Sequence, residues 1–324
     1  MRLETQTGYL INETATVYGQ SKYIGIHALA AVVNSMAAAG ASHPGVGVRI
    51  ALPPYAYKSK IHTIEKNIKS ACREQEIELL EIKSERNSAV NFPMVAVSGI
   101  AKVPKNDPWC KGPVPAKGEI VLTKWVGMDG MLQITMEKER ELRERFAPAF
   151  LNQILSYRQE IFARQEIGIA RACGASAICQ IGDGGILAAL WNLAKEASAG
   201  ISVDMKQISI LQETIEVCEH YRLNPYQLAS AGSLLIIADD GEALAEALNS
   251  RQVKASVIGR LTDNNDKIIH NGEEVRYIDR PAPDEILKLF NGGRQDERDE
   301  ETDTDVYGDE QQSGSGRTGS NSGD

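Results

Sequence analysis

The chain has 324 residues, 42% hydrophobic and 24% charged, which is the composition of a globular protein with room for two domains and their cores. No apolar run is long enough to cross a bilayer and the first residues lack the pattern of a secretory signal, so a cytoplasmic protein without a membrane partner is expected. The formal net charge is -9, but residues 294–324 hold 10 acidic side chains against 3 arginines, which leaves the rest of the chain almost neutral.

Charge and cysteine usage exclude several classes of function. The isoelectric point is near 5.3, and no cluster of lysine and arginine is interleaved with aromatic residues, so nucleic-acid binding is not expected. The 5 cysteines form no CxxC pair, which argues against a disulfide framework or a zinc site. The 5 histidines show no paired helical spacing, which argues against a metal hydrolase.

The first hundred residues alternate between strand and helix patterns. Two helices are predicted, one Ala-rich over 24–39 and ended by Gly40, the other marked by apolar residues at helical spacing from Ile61 to Ala71. Strands are predicted over 46–52, 77–82 and 94–100. This pattern is typical of an α/β layer domain.

A stretch rich in proline and glycine, residues 105–118, separates this region from the next and indicates a domain boundary. We therefore predict domains at 1–112 and 113–292. The tail at 293–324 combines a block of acidic residues with a Gly/Ser stretch, and such a composition predicts disorder because it cannot bury enough apolar surface.

The second domain is also predicted to be α/β. A long helical pattern covers 136–170, and a closing helix is predicted over 283–290. The remaining predicted strands are 119–123, 234–238, 256–259, 267–270 and 274–278, and the remaining predicted helices follow Gly185 and cover 209–222 and 241–249.

The clearest local signal for chemistry is the turn formed by Gly182, Asp183, Gly184 and Gly185, which opens a helix. Flexible glycines let a ligand approach the backbone, and the free amides of a helix N-terminus attract phosphate. The alternative is that the glycines serve a tight turn and close packing, with Asp183 capping the helix. A second candidate loop lies around Asp129, between Gly127 and Gly130. The alternative for this loop is an ordinary turn formed by the aspartate.

Several segments taken together, in order and spacing, resemble the aminoimidazole ribonucleotide (AIR) synthetase superfamily, in particular the branch of the hydrogenase maturation factor that dehydrates a carbamoyl thioester. The resemblance covers about residues 7–290. The segments that carry it are Ile24-Gly25, Val33 to Ala41, Ala51-Leu-Pro-Pro54, Val97-Ser-Gly99, Ile120 to Gly127, Asp183-Gly-Gly185, Ile210 to Pro225, Ala231 to Leu235 and Val257-Ile-Gly259.

This resemblance implies a ferredoxin-like N-terminal domain, whose sheet pairs with a related sheet in a homodimer or heterodimer, and an AIR-synthetase-like α/β C-terminal domain. It also implies ATP in the cleft with carboxylates on its Mg²⁺ ions. On this view Gly182, Asp183, Gly184, Gly185, Asn34 and Lys124 would bind the cofactor, and Glu85 and Asp129 would serve as metal ligands.

The positions that carry carboxylates in active relatives are changed here. Ala15 stands where an early strand is followed by Asp, Ser35 where Asn-Asp is found, and Gln180 where a His-Asp-Pro-Thr run is found. The stretch 81–85 replaces a Gly-Gly segment, and the chain has no cysteine after Cys218, so carbamoyl transfer to a terminal thiol is not expected.

Three hypotheses follow. The sequence favours a protein that keeps the fold but has lost the ATP chemistry, acting as a binding or assembly protein rather than an enzyme. The alternative is an ATP-dependent phosphoryl-transfer enzyme that activates a carbonyl or amide oxygen, with Glu85, Asp129 and Asp183 as substitute ligands. The third is a Mg²⁺-independent binder of a small phosphorylated or anionic metabolite.

Overall fold

The computed structural model describes residues 2–107 and 114–290. The predicted boundary at residue 112, Cys110 and the predicted disorder of 293–324 lie outside these residues, so the domain limits stay predictions. By its internal contacts the chain up to Ile286 forms one compact unit. A second unit begins at Leu287. Its described residues, 287–290, are the C-terminal part of the 3-10 helix Glu285–Phe290.

The N-terminal region forms a five-stranded sheet in the order β1-β2-β5-β3-β4. Its long central pair, β2 and β5, is antiparallel from the Gly8 and Pro104 pair to the Tyr18 and Met94 pair, whereas β3 and β4 run parallel. The elements are β1 (Arg2–Glu4), β2 (Gly8–Tyr18), α1 (Ile24–Ala38), β3 (Gly45–Leu52), α2 (Lys58–Glu74), β4 (Glu78–Arg86) and β5 (Met94–Pro104).

Helices α1 and α2 form a core with one face of this sheet because their apolar residues recur at helical spacing. Leu29 and Met36 of α1 are fully buried, as are Ile64 and Ile68 of α2. On the opposite face Ile100 is 41% exposed and no described element covers it. The sheet therefore has one packed face and one open face.

The N-terminal region has the layers expected of an α/β domain, and its elements follow one another in a different chain order from the ferredoxin-like one. Helices and strands of this region follow one another as β-α-β-α-β-β from β2 onward, whereas the ferredoxin-like order is β-α-β-β-α-β. Both arrangements place two helices on one face of a mostly antiparallel sheet. The final hairpin strand, β5, inserts between β2 and β3.

The second sheet has seven strands in the order β12-β11-β8-β10-β6-β9-β7. Alternate residues of its strands face opposite layers: Ile120 and Leu122 pack in the cluster that holds α7, and Val121 packs in the cluster that holds α6 and α9. The elements are β6 (Glu119–Thr123), α3 (Met128–Glu137), α4 (Glu139–Arg145), α5 (Pro148–Ser156), α6 (Arg164–Ala172), β7 (Ala177–Gln180), α7 (Gly185–Ala197), β8 (Gly200–Asp204), α8 (Gln212–Tyr221), β9 (Leu234–Ala238), α9 (Gly241–Asn249), β10 (Ala255–Thr262), β11 (Lys267–Asn271) and β12 (Glu274–Tyr277).

The long helix predicted over 136–170 is wrong as a single element. The region divides into α4, α5, a 3-10 helix at Tyr157–Ile161 and α6, and Pro148 begins α5 because proline cannot continue a helix from the preceding turn. The predicted closing α-helix is a 3-10 helix, Glu285–Phe290. Within the described ranges no helix has the length and apolar character needed to span a membrane.

Candidate functional site

The glycine turn before α7 has the geometry of a close backbone approach. Gly184 and Gly185 have φ angles of 75° and 66°, in the left-handed region that favours glycine. A Cβ atom on Gly185 would lie 2.5 Å from the carbonyl oxygen of Tyr226, so the turn packs directly against neighbouring backbone. A Cβ atom on Gly182 would meet no described neighbour within 4 Å, so packing does not require glycine there.

The amide expected to attract phosphate is occupied by a side chain of the same protein. The N–H of Gly184 donates to Oδ2 of Asp284 at 2.9 Å, and Oδ1 of Asp284 accepts from the N–H of Ile286 at 3.0 Å. The proposed cap by Asp183 is wrong, since no side chain of the turn itself caps α7. The anion at this helix N-terminus is therefore a carboxylate of the segment that follows β12.

Three carboxyl groups influence one another around this turn. Burial raises the pKa of Asp284 to about 6, although the N–H groups of Ile286 and Gly184 oppose the shift and the charges of Asp183 and Asp129 add to it. Desolvation raises the pKa of Asp183 as well, and the charge of Asp129 raises it further. The turn is thus a region of concentrated negative charge.

Asp129 lies beside the turn in a buried hydrogen-bonded group that the sequence did not reveal. Its Oδ1 is 2.5 Å from Nδ1 of His27, and its Oδ2 accepts from Nε2 of Gln133 at 2.9 Å. His27 and Asp129 are both 3% exposed. The pair joins α1 to α3, and its residues are 102 positions apart, so no local spacing could have indicated it.

The expected metal site built on Glu85 and Asp129 is not assembled. Within the part of the chain that the structure describes, no three carboxylate, histidine or cysteine groups are placed to hold a metal ion. Glu85 is exposed on the edge strand β4 and accepts a hydrogen bond from Asn87, two residues away. The stretch 81–85 is regular strand, so its side chains stand out from the sheet instead of forming a loop around phosphate.

Asn34 and Lys124 are expected to bind the cofactor, but both have their polar groups in internal contacts. The side-chain amide of Asn34 donates to the carbonyl of Ile161 at 2.7 Å and accepts from the N–H of Ala163 at 2.9 Å. Lys124 is also buried, with its Nζ 2.8 Å from Oε1 of Glu166. It further donates to the backbone carbonyls of residues 160 and 162. Both side chains hold the segment 160–163, which leaves neither free for a ligand.

Two positions where the resemblance places carboxylates contact each other directly. Nε2 of Gln180 donates to Oγ of Ser35 at 2.9 Å and to the carbonyl oxygen of Ala31 at 2.8 Å, which joins β7 to α1. Ala15, the third such position, packs against the apolar core of the N-terminal sheet. Neutral groups thus occupy all three positions.

These residues do not fit an ATP–Mg²⁺ complex of the kind that the resemblance implies. Hard oxygen anions are the ligands that Mg²⁺ prefers, and the Gln180 and Ser35 pair supplies only a neutral amide and a hydroxyl. The amide of Gly184 is also engaged by Asp284. A triphosphate at this turn would meet carboxylates without the cations needed to balance them.

A cavity of about 520 Å³ opens beside the first turn of α7. Its lining includes Gly184, Tyr226 and Tyr277 together with the basic residues Arg276 and Arg280. Its volume falls in the range of sites for small organic molecules. Glu274 and Asp279 line it too, and Glu274 pairs with Arg276, so its basic and acidic residues are equal in number.

Cys179 comes directly before Gln180, which makes its thiol a candidate nucleophile. Burial raises the pKa of this thiol to about 12, with the charge of Glu196 contributing. A thiol with such a pKa is protonated at neutral pH and is a poor nucleophile. The surroundings of Cys179 therefore favour a role in packing.

The chain matches known proteins in both sequence and fold. Residues 134–271 match the family model described as AIR synthase related protein, C-terminal domain. A Methanocaldococcus jannaschii protein named for hydrogenase expression and formation is 22% identical over 275 residues, which cover 82% of this chain and 78% of that protein. The phosphoribosylformylglycinamidine synthase subunit PurL of Methanothermobacter thermautotrophicus is 26% identical over 219 residues, which cover 62% of this chain but only 28% of PurL.

Solved structures of hydrogenase maturation proteins share the fold. HypE of E. coli superposes with a TM-score of 0.66 at 17% identity, covering 86% of this chain and 88% of HypE. HypE in complex with ATP gives 0.65 at 16% identity, with 88% and 89% coverage, and HypE in a complex with HypF gives 0.64 at 18% identity, with 86% and 92% coverage. The resemblance to the AIR synthetase-related superfamily and its hydrogenase maturation branch is confirmed.

Proposed function

Because the chain carries an AIR synthase-related C-terminal domain and shares its two-domain fold with hydrogenase maturation proteins, we propose that it acts by binding partner proteins without the ATP chemistry of that fold. On this account the site at the α7 turn is degenerate. The fold serves as a scaffold, and assembly with another chain is its activity.

The observation that carries this proposal is the hydrogen bond between Gln180 and Ser35. Two carboxylates in contact repel unless a cation or a shared proton lies between them, whereas Nε2 of Gln180 donates to the Ser35 hydroxyl without one. Oε1 of Gln180 is buried and has no partner among the described residues. The pair therefore supports a site that has been closed by neutral residues. The Asp284 carboxylate on the Gly184 amide supports the same conclusion, because it fills the anion position from within the chain.

The nature of the partner is inferred from the relatives. One of the HypE structures is a complex with HypF, so a protein of this fold forms an assembly with an unlike chain. We propose that this chain likewise binds a protein partner, either a second copy of itself or a related chain. Another of the HypE structures is a complex with ATP, and for this chain the proposal excludes Mg²⁺-dependent ATP binding at the α7 turn.

The proposal is tested by restoring the carboxylates. The variant S35D/Q180D places two anions in contact, so it should be less stable than the wild type in the absence of divalent cations. Magnesium should bind between the new carboxylates and raise the melting temperature of the variant by several degrees, with a change of ~1 °C or less for the wild type.

The measurement is thermal unfolding with and without MgCl₂, and S35N/Q180N is the matched control of similar size. A magnesium-dependent rise in the melting temperature of the wild type would contradict the proposal, because it would mean that the native residues already form a cation site.

A second candidate function, binding of a small anionic metabolite without Mg²⁺, is favoured by the cavity of about 520 Å³ beside Gly184. Arg280 is exposed at the surface of this cavity, whose lining also holds Asp279 and the ion pair of Arg276 with Glu274. This function is compatible with a role in assembly, because the chain can hold a ligand in this cavity and a protein partner on another surface.

A further inference from the structure

A second cavity, of about 580 Å³, lies away from the α7 turn, between the loop before α1, the first turn of α2, and α4 and α5. We call it the cationic cavity. Its charged lining residues are Lys22, Lys60, Arg143, Arg158 and Glu139. Positive charge exceeds negative charge here, although the chain outside its acidic tail is almost neutral.

Three of these cations have no carboxylate partner among the described residues. Arg143 is paired with Glu139, with Nη2 and Oε1 2.6 Å apart. No described acidic side chain lies within ion-pair distance of Lys22, Lys60 or Arg158. Nζ of Lys60 instead donates to the side-chain oxygen of Gln20 at 2.5 Å.

Two of these cations contact the same aromatic ring, and all three line the same cavity. Lys22 and Arg158 both lie over the ring of Tyr23, with Nζ at 5.1 Å and Cζ at 5.6 Å from its centroid. The ring attracts both cations, but it carries no net charge to neutralise them. Partial burial lowers the pKa of the Lys60 ammonium, and a bound anion would oppose this effect.

The nearby carboxylate of Glu137 supplies one negative charge beside the cavity, and this charge opposes the lowering of the Lys60 pKa by burial. It accepts hydrogen bonds from the N–H groups of Gln20, at 2.8 and 2.6 Å, and of Ser21, at 2.8 Å. In addition, the first turn of α2 contains Lys58 and Lys60 and no acidic residue, contrary to the preference of helix N-termini for negative charge. Glu139, which pairs with Arg143, and the nearby Glu137 therefore leave positive charge in excess in the cavity.

We propose that the cationic cavity binds a small molecule with at least two phosphoryl groups, without Mg²⁺. Lys22, Lys60 and Arg158 would each donate charge-assisted hydrogen bonds to its oxygens, and the hydroxyls of Ser59 and Thr63 line the same space. The volume suits a small organic phosphate rather than a protein segment, because the surface is concave and of ligand size. This site lies outside the α7 turn on which the proposed function depends.

The probe for this site is inorganic tripolyphosphate, titrated by calorimetry into the full chain in the presence of EDTA. Substitutions K60Q and R158Q should each weaken binding about tenfold, since each removes a charged hydrogen-bond donor. The matched control is K58Q, which removes the same charge two residues from Lys60 at a side chain outside the cavity lining. It should weaken binding less than about twofold.

Two results would overturn the proposal. One is a wild-type protein that shows no binding up to about 10 mM tripolyphosphate. The other is an equal loss of affinity in K58Q and K60Q, which would mean diffuse attraction to the surface rather than a site. Circular dichroism of each variant tests whether it is folded. If K60Q does not fold, R158Q still tests the site, because it changes an exposed side chain.

Discussion

Buried polar side chains decide what the candidate site can do. Asn34 and Lys124 are residue types that bind cofactors when their polar groups are free. Here both side chains contact the segment 160–163, and Lys124 also pairs with Glu166. The sequence shows the residue type at a position but not its partner. Gln180 meets Ser35 across 145 positions, and only the packing of β7 on α1 brings them together.

The ion pair of Lys124 with Glu166 leads to a prediction about stability. Lys124→Met leaves the carboxylate of Glu166 buried without its partner, so the free energy of unfolding should fall by ~3 kcal/mol or more. Urea unfolding measures this change. The control is Lys69→Met, which removes the exposed pair with Glu65 and should cost less than ~1 kcal/mol. Equal losses in the two variants would contradict the account.

At the scale of elements, the predictions succeeded where the pattern was local. Strands β6 and β9 and helix α9 have the predicted bounds because their apolar periodicity and their turns lie within each segment. Strands β1, β2, β7 and β8 were missed, since a strand takes its stability from neighbouring strands that its own sequence does not show. The cap of α7 was missed for a related reason: Asp284 lies 100 positions from Gly184.

The contact of Asp284 with α7 predicts how stability depends on pH. The pKa of this carboxyl is raised from 3.8 to about 6, so between these values the folded protein retains a proton that the unfolded chain releases. The free energy of unfolding must therefore fall as pH rises through this interval. Relative to D284N, which cannot ionise, the wild type should lose ~2–3 kcal/mol between pH 4 and pH 7.

The measurement for Asp284 is urea unfolding of both proteins at the two pH values. The same substitution at the exposed residue Asp279 is the control, and it should show a much smaller pH dependence. If the difference in free energy of unfolding between wild type and D284N does not change with pH, burial does not raise the pKa of the Asp284 carboxyl.

At the scale of the whole molecule, alternating strand and helix patterns were sufficient to predict two α/β layers, and the resemblance supplied the two-domain fold. The assembly state could not be derived in the same way. Our proposal places assembly on the open face of the N-terminal sheet, whose residues alternate with the core residues of the same strands. Apolar and small polar side chains on that face suit pairing with another sheet.

We predict that the chain forms a dimer through this face. Ile100, 41% exposed on β5, would be covered in the dimer, so Ile100→Lys should shift the species towards the 35.3 kDa monomer. Light scattering coupled to size-exclusion chromatography measures the mass. Val275→Lys, at an apolar residue 52% exposed on β12, is the matched control and should leave the mass unchanged. A wild-type monomer at high concentration would contradict a homodimer.

The central claim is that the α7 turn no longer supports Mg²⁺-dependent ATP binding. The direct measurement is calorimetric titration of the wild-type chain with ATP, with MgCl₂ and with EDTA. We predict no binding that depends on magnesium. Any weak binding that persists in EDTA and is weakened in K60Q belongs to the cationic cavity. Magnesium-dependent binding at micromolar affinity would contradict the account and identify the chain as an ATP-using protein.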